Sequence, residues 1–395
     1  MRFLSADLVY PIHIPPVSNG VVVVDDSGKI IDLLIPGKDE IPSSLQIEKF
    51  NGIICPGFVN THCHLELSHL KGKLTREKGL PDFIGELIDK RSDDPQEILQ
   101  AMVDADNEMF EGGIVAVGDI SNNSLSSSVK NKSKIVYHTF VELFDIFPER
   151  TDKVFSNGLL IQKEFSENGN RSSIVPHSIY TVTKSLMKLI CDYAGESGSI
   201  LSIHNQESSG ENEMFTNGTG QLIEKLQELT GAYSDWKSFG KSSLYVLLSQ
   251  LNPEIPVQLV HNTFTGLHDI QTTLKKLTNV YWCLCVNANL FIENTVPDIL
   301  NFVMEKCILT VGTDSYASNT SLSVLDEMIT IKKRFPQIEL PEMLSWATIN
   351  GADYLGLSRN YGSFEKGKSP GINLISNIEL AHLQLNSGCK VQRLI

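Results

Sequence analysis

The sequence predicts an α/β protein that combines a distorted (β/α)8 TIM barrel with a small β-sandwich domain built from both termini. Two observations predict the barrel: eight short apolar runs alternate with helix-like segments, and four of those runs end in histidine or aspartate. A third observation, strand and turn signals at both chain ends, predicts the small domain. We expect the barrel over residues 55–357 and the small domain over residues 1–54 and 358–395.

Both ends of the chain predict β structure. Residues 20–33 read as a strand, an Asp-Ser-Gly turn and a second strand, which is the pattern of a β-hairpin. No helix is expected before residue 80, and residues 362–375 again read as turn-rich strand. Two β-rich ends around a long middle indicate that the two termini assemble one small domain.

The middle of the chain alternates strand-like and helix-like segments. The strand candidates are residues 53–60, 114–120, 135–143, 173–176, 199–203, 256–260, 279–286 and 307–313. The helix-like segments include Pro95–Phe110, Leu186–Glu196, Gly220–Leu229 and Ser321–Arg334. In a barrel of this kind the carboxyl ends of the strands form the active site, so the residues at those ends are the candidates for chemistry.

Histidine and aspartate mark four of these strand ends. The first run ends in His62-Cys63-His64, and residues i and i+2 of a strand project to the same face, so both imidazoles can point at one ion. Three further runs end in His204, His261 and Asp314. Because such side chains are poor core residues without partners, four of these strand ends together favour a shared site.

The candidate ligands suit a catalytic metal ion. His62, His64, His204 and Asp314 supply imidazoles and a carboxylate, which suit Zn²⁺ or Fe²⁺. A catalytic zinc ion takes three or four nitrogen or oxygen ligands and lowers the pKa of a bound water. A structural zinc would want a closed, cysteine-containing shell, and these positions have none.

Composition limits the partners. The chain carries 33 basic and 47 acidic residues, a net charge of −14, so we expect no nucleic-acid or membrane partner. The net charge itself says nothing specific about the small-molecule substrate that we expect. The seven cysteines are scattered, mostly in apolar runs, which is typical of reduced thiols in a cytoplasmic protein. We expect a cytoplasmic location, and the sequence leaves a homodimer open.

Four motifs resemble those of the amidohydrolase superfamily, and the resemblance covers essentially the whole chain. The motifs are Pro56–His64, His204-x-x-Glu207, Leu259–Asn262 and Val311–Ser315. The match is closest to the branch of mononuclear deaminases and chlorohydrolases.

The resemblance assigns roles to these residues. It implies that Glu207 protonates a ring nitrogen of the substrate, that His261 helps to polarise the attacking hydroxide, and that the metal is bound by His62, His64, His204 and Asp314. Deamination chemistry agrees, because an amino-substituted C=N carbon resists attack until the neighbouring nitrogen accepts a proton. Asp314 can accept the proton of the attacking water.

One metal ion is predicted, with zinc preferred and ferrous iron the alternative. Binuclear members of the superfamily carry a bridging lysine on the fourth strand, and residues 172–178 contain no lysine. His177 lies in a Pro-His-x-x-Tyr run that resembles a substrate-contacting segment of the mononuclear branch. Glu142 ends the third strand. Its side chain could face the pocket or, equally, pack behind it.

Residues beyond the metal motif indicate the substrate. Glu66 could accept paired ribose hydroxyls, and the pattern His-x-His-Leu-Glu-x-Ser is similar to that of the aminodeoxyfutalosine deaminases. The resemblance implies a substrate carboxylate that Arg76 or Arg91 could bind, although both could equally be surface charges. Residues 206–220 could form a lid or a plain connection.

Three hypotheses follow. The first is a metal-dependent hydrolytic deaminase of an amino-heterocycle, with an adenine-type nucleoside such as aminodeoxyfutalosine preferred over a free guanine- or cytosine-type base. The second is a hydrolase that expels another group, as triazine chlorohydrolases do. The third is a non-catalytic scaffold of the dihydropyrimidinase-like kind, which the intact set of candidate ligands disfavours.

Overall fold

The computed structural model describes residues 1–395 and contains fifteen strands. They are β1 Arg2–Val9, β2 Val17–Ser18, β3 Val21–Val24, β4 Ile30–Leu34, β5 Ile47–Pro56, β6 Phe58–Cys63, β7 Ile114–Ser121, β8 Val136–Leu143, β9 Arg171–Pro176, β10 Leu201–Asn205, β11 Val257–His261, β12 Val280–Leu284, β13 Ile308–Val311, β14 Ile372–Ser376 and β15 Lys390–Arg393.

Fourteen α-helices connect and cover the strands. They are α1 Leu80–Lys90, α2 Pro95–Glu111, α3 Ser127–Lys132, α4 Thr151–Glu167, α5 Lys184–Ser197, α6 Ser209–Asn217, α7 Gln221–Thr230, α8 Ser243–Leu247, α9 Leu267–Lys276, α10 Val286–Glu293, α11 Ile299–Met304, α12 Val324–Arg334, α13 Leu340–Trp346 and α14 Ile349–Tyr354. Short 3₁₀ helices span Leu65–Leu70 and Pro148–Arg150. No helix is both long and apolar enough to cross a membrane.

Strands β6 to β13 form the predicted barrel as two parallel four-stranded sheets. Their orders are β6-β7-β8-β9 and β10-β11-β12-β13. Hydrogen bonds at the carboxyl ends join the sheets: the His204 N–H donates to the His177 carbonyl at 2.9 Å, and the Thr313 and Asp314 N–H groups both donate to the His62 carbonyl at 3.0 Å. Two sheets that meet through these few bonds make a distorted barrel, as the sequence predicts.

Strands from both termini form one seven-stranded mixed sheet. Its order is β15-β14-β5-β1-β3-β4, with β2 paired to β1, and the predicted hairpin is present as the antiparallel β3–β4 pair. Strand β14 pairs antiparallel with β5, so residues near both termini lie in this one sheet. These strands form one hydrogen-bonded sheet, and the predicted sandwich of two sheets is not confirmed.

The first barrel strand lies later in the chain than the sequence suggests. The expected strand at 53–60 is divided: residues 53–56 end β5 in the terminal sheet, and the barrel strand β6 begins at Phe58. Between them, the Gly57 N–H donates to the carbonyls of Pro370 and Gly371, and a Cβ at position 57 would lie 2.2 Å from a Val115 methyl carbon. The chain passes from one sheet to the other at this point, which only glycine permits at such close approach.

Two separate apolar clusters support these layers. A cluster of 83 buried residues fills the barrel and the space beneath its helices. A second cluster of 10 buried residues, which includes Leu4, Val22 and Ile372, lies in the terminal sheet. All seven cysteines are free, and six are buried, as expected of structural thiols.

Candidate active site

The four predicted metal ligands meet at the carboxyl end of the barrel. The Nε2 atoms of His62 and His64 lie 3.1 Å apart, and those of His64 and His204 lie 3.4 Å apart. Asp314 Oδ1 lies 3.3 Å from His64 Nε2 and 3.6 Å from His62 Nε2. Ligand atoms from three separate parts of the chain therefore lie around His64 Nε2.

The loop after β13 holds Asp314 in an unusual backbone conformation. Its φ is +56°, in the left-handed region that residues other than glycine rarely adopt. The Asp314 N–H donates to the His62 carbonyl, and the Ser318 hydroxyl donates to Asp314 Oδ2. The first bond holds the Asp314 backbone and the second holds Oδ2, which leaves Oδ1 facing the histidines.

Burial sets the charge of this cluster. Desolvation lowers the pKa of His62 to about 3 and holds the pKa of His64 well below its usual value, so both imidazoles are neutral at pH 7. Burial opposes ionisation of Asp314, but the surrounding imidazoles hold the pKa of its carboxyl well below the usual range. The cluster therefore contains neutral nitrogen donors and one carboxylate.

This donor set fits a divalent cation. His204 Nδ1 lies 3.0 Å from the His177 carbonyl, which can only accept, so Nδ1 carries a proton and Nε2 is the nitrogen that faces His64. Neutral imidazoles and a carboxylate held face to face suit Zn²⁺ or Fe²⁺. Metal-compatible groups here include His62 with His64 and His204, and His62 with His261 and Asp314.

Glu142 lies behind His204. Its Oε1 is 3.4 Å from His204 Nδ1, and its Oε2 accepts from the Asn122 amide at 2.9 Å. The contact is with the nitrogen that points away from the cluster, which is the usual place of a carboxylate that orients a metal-binding histidine. Of the two alternatives for Glu142, the geometry favours the one behind the pocket.

Glu207 and His261 face each other beside the cluster. Glu207 Oε1 lies 3.6 Å from His261 Nε2, and His261 Nδ1 lies 2.9 Å from Asn289 Oδ1. Burial raises the pKa of Glu207 to about 8, so its carboxyl is mainly protonated at neutral pH. The arrangement offers a buried acid next to an imidazole whose other nitrogen is already hydrogen-bonded.

The buried Glu66 and the partly exposed Arg91 form one polar group. Arg91 Nη2 donates to Glu66 Oε1 at 2.5 Å and to Asn122 Oδ1 at 2.7 Å. Glu66 Oε2 accepts from the Asn122 N–H at 3.1 Å and from the Asn123 amide at 3.3 Å. Burial raises the pKa of Glu66 to about 7, while the Arg91 charge opposes that rise. The Arg91 guanidinium is therefore already bound to protein carboxylate and amide oxygens.

Arg76 lies elsewhere. It is exposed, its guanidinium lies 5.3 Å from the Phe291 ring centroid, and it lines a cavity of about 300 Å³ with Asn287 and Asn319. The structure thus brings Arg91, and not Arg76, into hydrogen-bond contact with another candidate residue.

His177 stacks against the cluster. Its ring centroid lies 4.6 Å from that of His204 with 29° between the planes, and its Nδ1 lies 2.8 Å from the Thr181 hydroxyl. Residues 206–220, the lid candidate, contain helix α6, in which Met214 and Phe215 are almost fully buried. Those two apolar side chains belong to the core.

The amidohydrolase family model matches residues 53–392, which is most of the chain. The chain belongs to the amidohydrolase family. The match includes the barrel, the metal-compatible cluster, strand β14 and most of strand β15.

Two curated relatives and one solved structure illustrate what this amidohydrolase is similar to. The adenosine deaminase of Helicobacter pylori is 25% identical over 80% of this chain and 77% of that protein. The aminodeoxyfutalosine deaminase of Nitratiruptor sp. is 26% identical over 91% of this chain and 87% of that protein. The structure of Helicobacter pylori aminofutalosine deaminase in complex with methylthio-coformycin has a TM-score of 0.85, with 22% identity and full coverage of both chains. That likeness shows the fold.

Sequence reasoning missed a buried ion pair beneath the amidohydrolase site. Asp119 Oδ1 accepts from the Leu65 N–H at 2.7 Å, directly after His64, and Lys130 Nζ lies 2.6 Å from Asp119 Oδ2. Both charged side chains are fully buried. The signal available in the sequence was an aspartate inside the otherwise apolar run of β7.

We expect Lys130→Met to destabilise the fold by about 3–5 kcal/mol, because removing one partner leaves the Asp119 charge buried and unpaired. The urea midpoint measured by circular dichroism tests this. The control is Lys132→Met, since Lys132 is exposed on the same helix and should change the midpoint little. Equal midpoints for Lys130→Met and the unmodified protein would show that the pair contributes no stability.

Proposed function

We propose that this amidohydrolase is a metal-dependent hydrolytic deaminase of an adenine-type nucleoside, with aminodeoxyfutalosine the leading candidate substrate. The observation that carries the proposal is the buried Glu207 beside His261 at the edge of a metal-compatible cluster, where burial raises the pKa of the Glu207 carboxyl to about 8. The relatives named adenosine deaminase and aminodeoxyfutalosine deaminase support the same reaction.

The proposed proton transfers use three residues of this chain. Glu207 donates its proton to the ring nitrogen next to the amino-bearing carbon. Asp314 accepts a proton from the attacking water and passes it to the amino group. His261, held by Asn289, orients that water through Nε2. Glu207 then takes the proton of the new hydroxyl group as ammonia leaves. Glu207 is thereby returned to its protonated form and Asp314 to its carboxylate form.

We propose that one divalent ion, zinc in preference to ferrous iron, is bound by His62, His64, His204 and Asp314. When bound, such an ion lowers the pKa of water and supplies a nucleophile near neutral pH. His64 Nε2 lies 3.1–3.4 Å from a ligand atom of each of the other three residues, and these contacts support the assignment.

We propose that Glu66 accepts the ribose hydroxyls and that Arg91 orients it. The Arg91 contact argues for this role rather than for the binding of a substrate carboxylate, which Arg76 remains free to perform. His177, stacked on His204, is proposed to contact the substrate. We also propose that residues 55–357 form the catalytic domain and residues 1–54 with 358–395 the small domain, an assignment that the separate apolar cluster of the terminal sheet supports.

Ammonia release from a panel of metal-loaded reactions tests the function. The panel contains aminodeoxyfutalosine, adenosine derivatives, aminopurines, guanine and cytosine, with a chlorotriazine assayed for halide. We expect the highest kcat/KM with an adenine-type nucleoside. Best turnover of a free base would indicate a base deaminase, halide release a chlorohydrolase, and no turnover of any compound would contradict the deaminase proposal.

We expect Glu66→Ala to reduce kcat/KM for nucleosides far more than for free bases. A ribose hydroxyl left unpaired in a buried site costs about 1–3 kcal/mol, or roughly 5- to 150-fold. Steady-state ammonia release with adenosine and with adenine gives the comparison. The control is Glu97→Ala, an exposed position on α2. Equal losses for nucleoside and base would exclude Glu66 as the ribose ligand.

A further inference from the structure

Glu211 is a buried carboxylate beside Glu207 that the proposed chemistry does not use. It lies in the first turn of α6 and is 1% exposed. The Ser208 hydroxyl caps this helix by accepting from the Glu211 N–H at 3.2 Å. A fully buried acid so close to the proposed general acid requires an explanation, because burying a carboxyl group is costly without hydrogen-bond partners.

Both oxygens of Glu211 bind backbone donors that precede the helix. Oε1 accepts from the Gln206 N–H at 3.1 Å, and Oε2 accepts from the Glu207 N–H at 3.3 Å. In a capping box, a glutamate at this third helical position would return to the N–H of the cap residue itself, here Ser208. Glu211 instead reaches one and two residues further back, to the general acid and its neighbour.

The backbone segment that Glu211 binds includes a residue, Gln206, in an unfavourable conformation. Gln206 has a φ of +44°, a left-handed conformation that costs on the order of 1–3 kcal/mol for such a residue. Its side-chain amide also donates to Asn212 Oδ1 at 2.8 Å and to Asp269 Oδ2 at 3.0 Å. The turn between His204 and Glu207 is therefore held in place from several directions, and Glu211 is the group that binds Glu207 itself.

We propose that Glu211 is a positioning residue: it fixes the backbone at Glu207, and so aims the acid at the ring nitrogen of the substrate. This inference rests on the proposed function, in which Glu207 transfers the proton. A displacement of the acid by about 1 Å is enough to lower the rate by up to 10²-fold. Glu211 therefore acts on proton transfer without contacting the substrate.

Two substitutions at Glu211 should lower kcat to different extents. Glu211→Ala removes both acceptors, whereas Glu211→Gln keeps one oxygen and turns an amide donor toward the other N–H. With the best nucleoside of the panel, we expect kcat to fall about tenfold or more in Glu211→Ala and less in Glu211→Gln, with KM nearly unchanged. Metal content should stay at the unmodified level. Glu213→Ala, at an exposed position on the same helix, should keep full kcat.

A double-mutant cycle separates positioning from general support of the site. In a Glu207→Gln background, Glu211→Ala should cause no further loss of kcat, because there is no acid left to aim. A loss of equal size in both backgrounds, full kcat in Glu211→Ala, or loss of metal would overturn the proposal. If Glu211→Ala does not fold, the same cycle with Glu211→Gln decides.

The cycle also distinguishes the two levels of the argument. Near-normal kcat in Glu207→Gln alone would remove the acid from the mechanism, and with it the positioning role. Impaired Glu207→Gln together with unimpaired Glu211→Ala would remove the positioning role alone and leave the proposed deamination intact.

Discussion

Replacing His64 by alanine is expected to abolish turnover and bound metal together. His64 Nε2 lies within 3.1–3.4 Å of ligand atoms from His62, His204 and Asp314, so it borders every other member of the cluster. Losing a metal ligand removes the means of activating water near neutral pH. We expect close to one metal ion per chain in the unmodified protein and far less in His64→Ala, measured by elemental analysis after dialysis.

The control for this experiment is His382→Ala, because His382 is an exposed histidine that pairs with Glu379 and lies outside the barrel strands. It should keep both metal and turnover. Asp314→Ala provides an independent test of the same cluster and should also lose activity. Two metal ions per chain, or full activity in Asp314→Ala, would contradict the proposed mononuclear site.

The barrel could be predicted because its signals are local. A parallel strand that is buried on both faces is a short apolar run, and the helix that follows it carries an amphipathic pattern. Each strand and each helix can therefore be recognised from a few consecutive residues. The first strand was misplaced because residues 53–59 form one apolar run that serves two sheets. The apolar pattern alone does not show where the chain leaves one sheet and enters the other. The sequence feature at this point is the Pro56-Gly57 pair, and the chain changes sheet at Gly57.

The candidate ligands could be predicted for a topological reason. The carboxyl ends of parallel strands meet at one end of a barrel, so histidine and aspartate at those ends must lie close together. The contacts between the two barrel sheets also bring these residues together. The backbone hydrogen bonds that join the sheets include those made by His62, His177, His204 and Asp314. These backbone hydrogen bonds therefore help to hold the candidate ligands in place.

Contacts between distant segments could not be predicted. Glu66 and Arg91 are 25 residues apart, and nothing in either segment indicates that they meet. The sequence suggested a substrate carboxylate for Arg91, and the structure places it against Glu66. Asp119 and Lys130 illustrate the same limit, because a pair buried between a strand and a helix depends on how those elements pack.

Glu207→Gln is expected to lower kcat by about 10²-fold or more while leaving metal content unchanged. The amide keeps the shape and hydrogen-bond reach of the acid but cannot donate an acidic proton, and general acid–base catalysis typically contributes 10²- to 10⁴-fold. Glu207 lies 3.6 Å from His261 and is separate from the four proposed metal ligands, so retention of metal is part of the prediction. Glu213→Gln is the matched control, because Glu213 is an exposed glutamate six residues further along the chain.

The pH profile of kcat tests the same assignment. Burial raises the pKa of Glu207 to about 8, so the protonated form that can act as an acid prevails below that pH and is lost as the pH rises through it. The unmodified protein should therefore lose activity on the alkaline side, and Glu207→Gln should lack that limb because the amide does not titrate. Near-normal turnover in Glu207→Gln, or an unchanged alkaline limb, would exclude Glu207 as the acid, whereas loss of metal would assign it a structural part in the cluster.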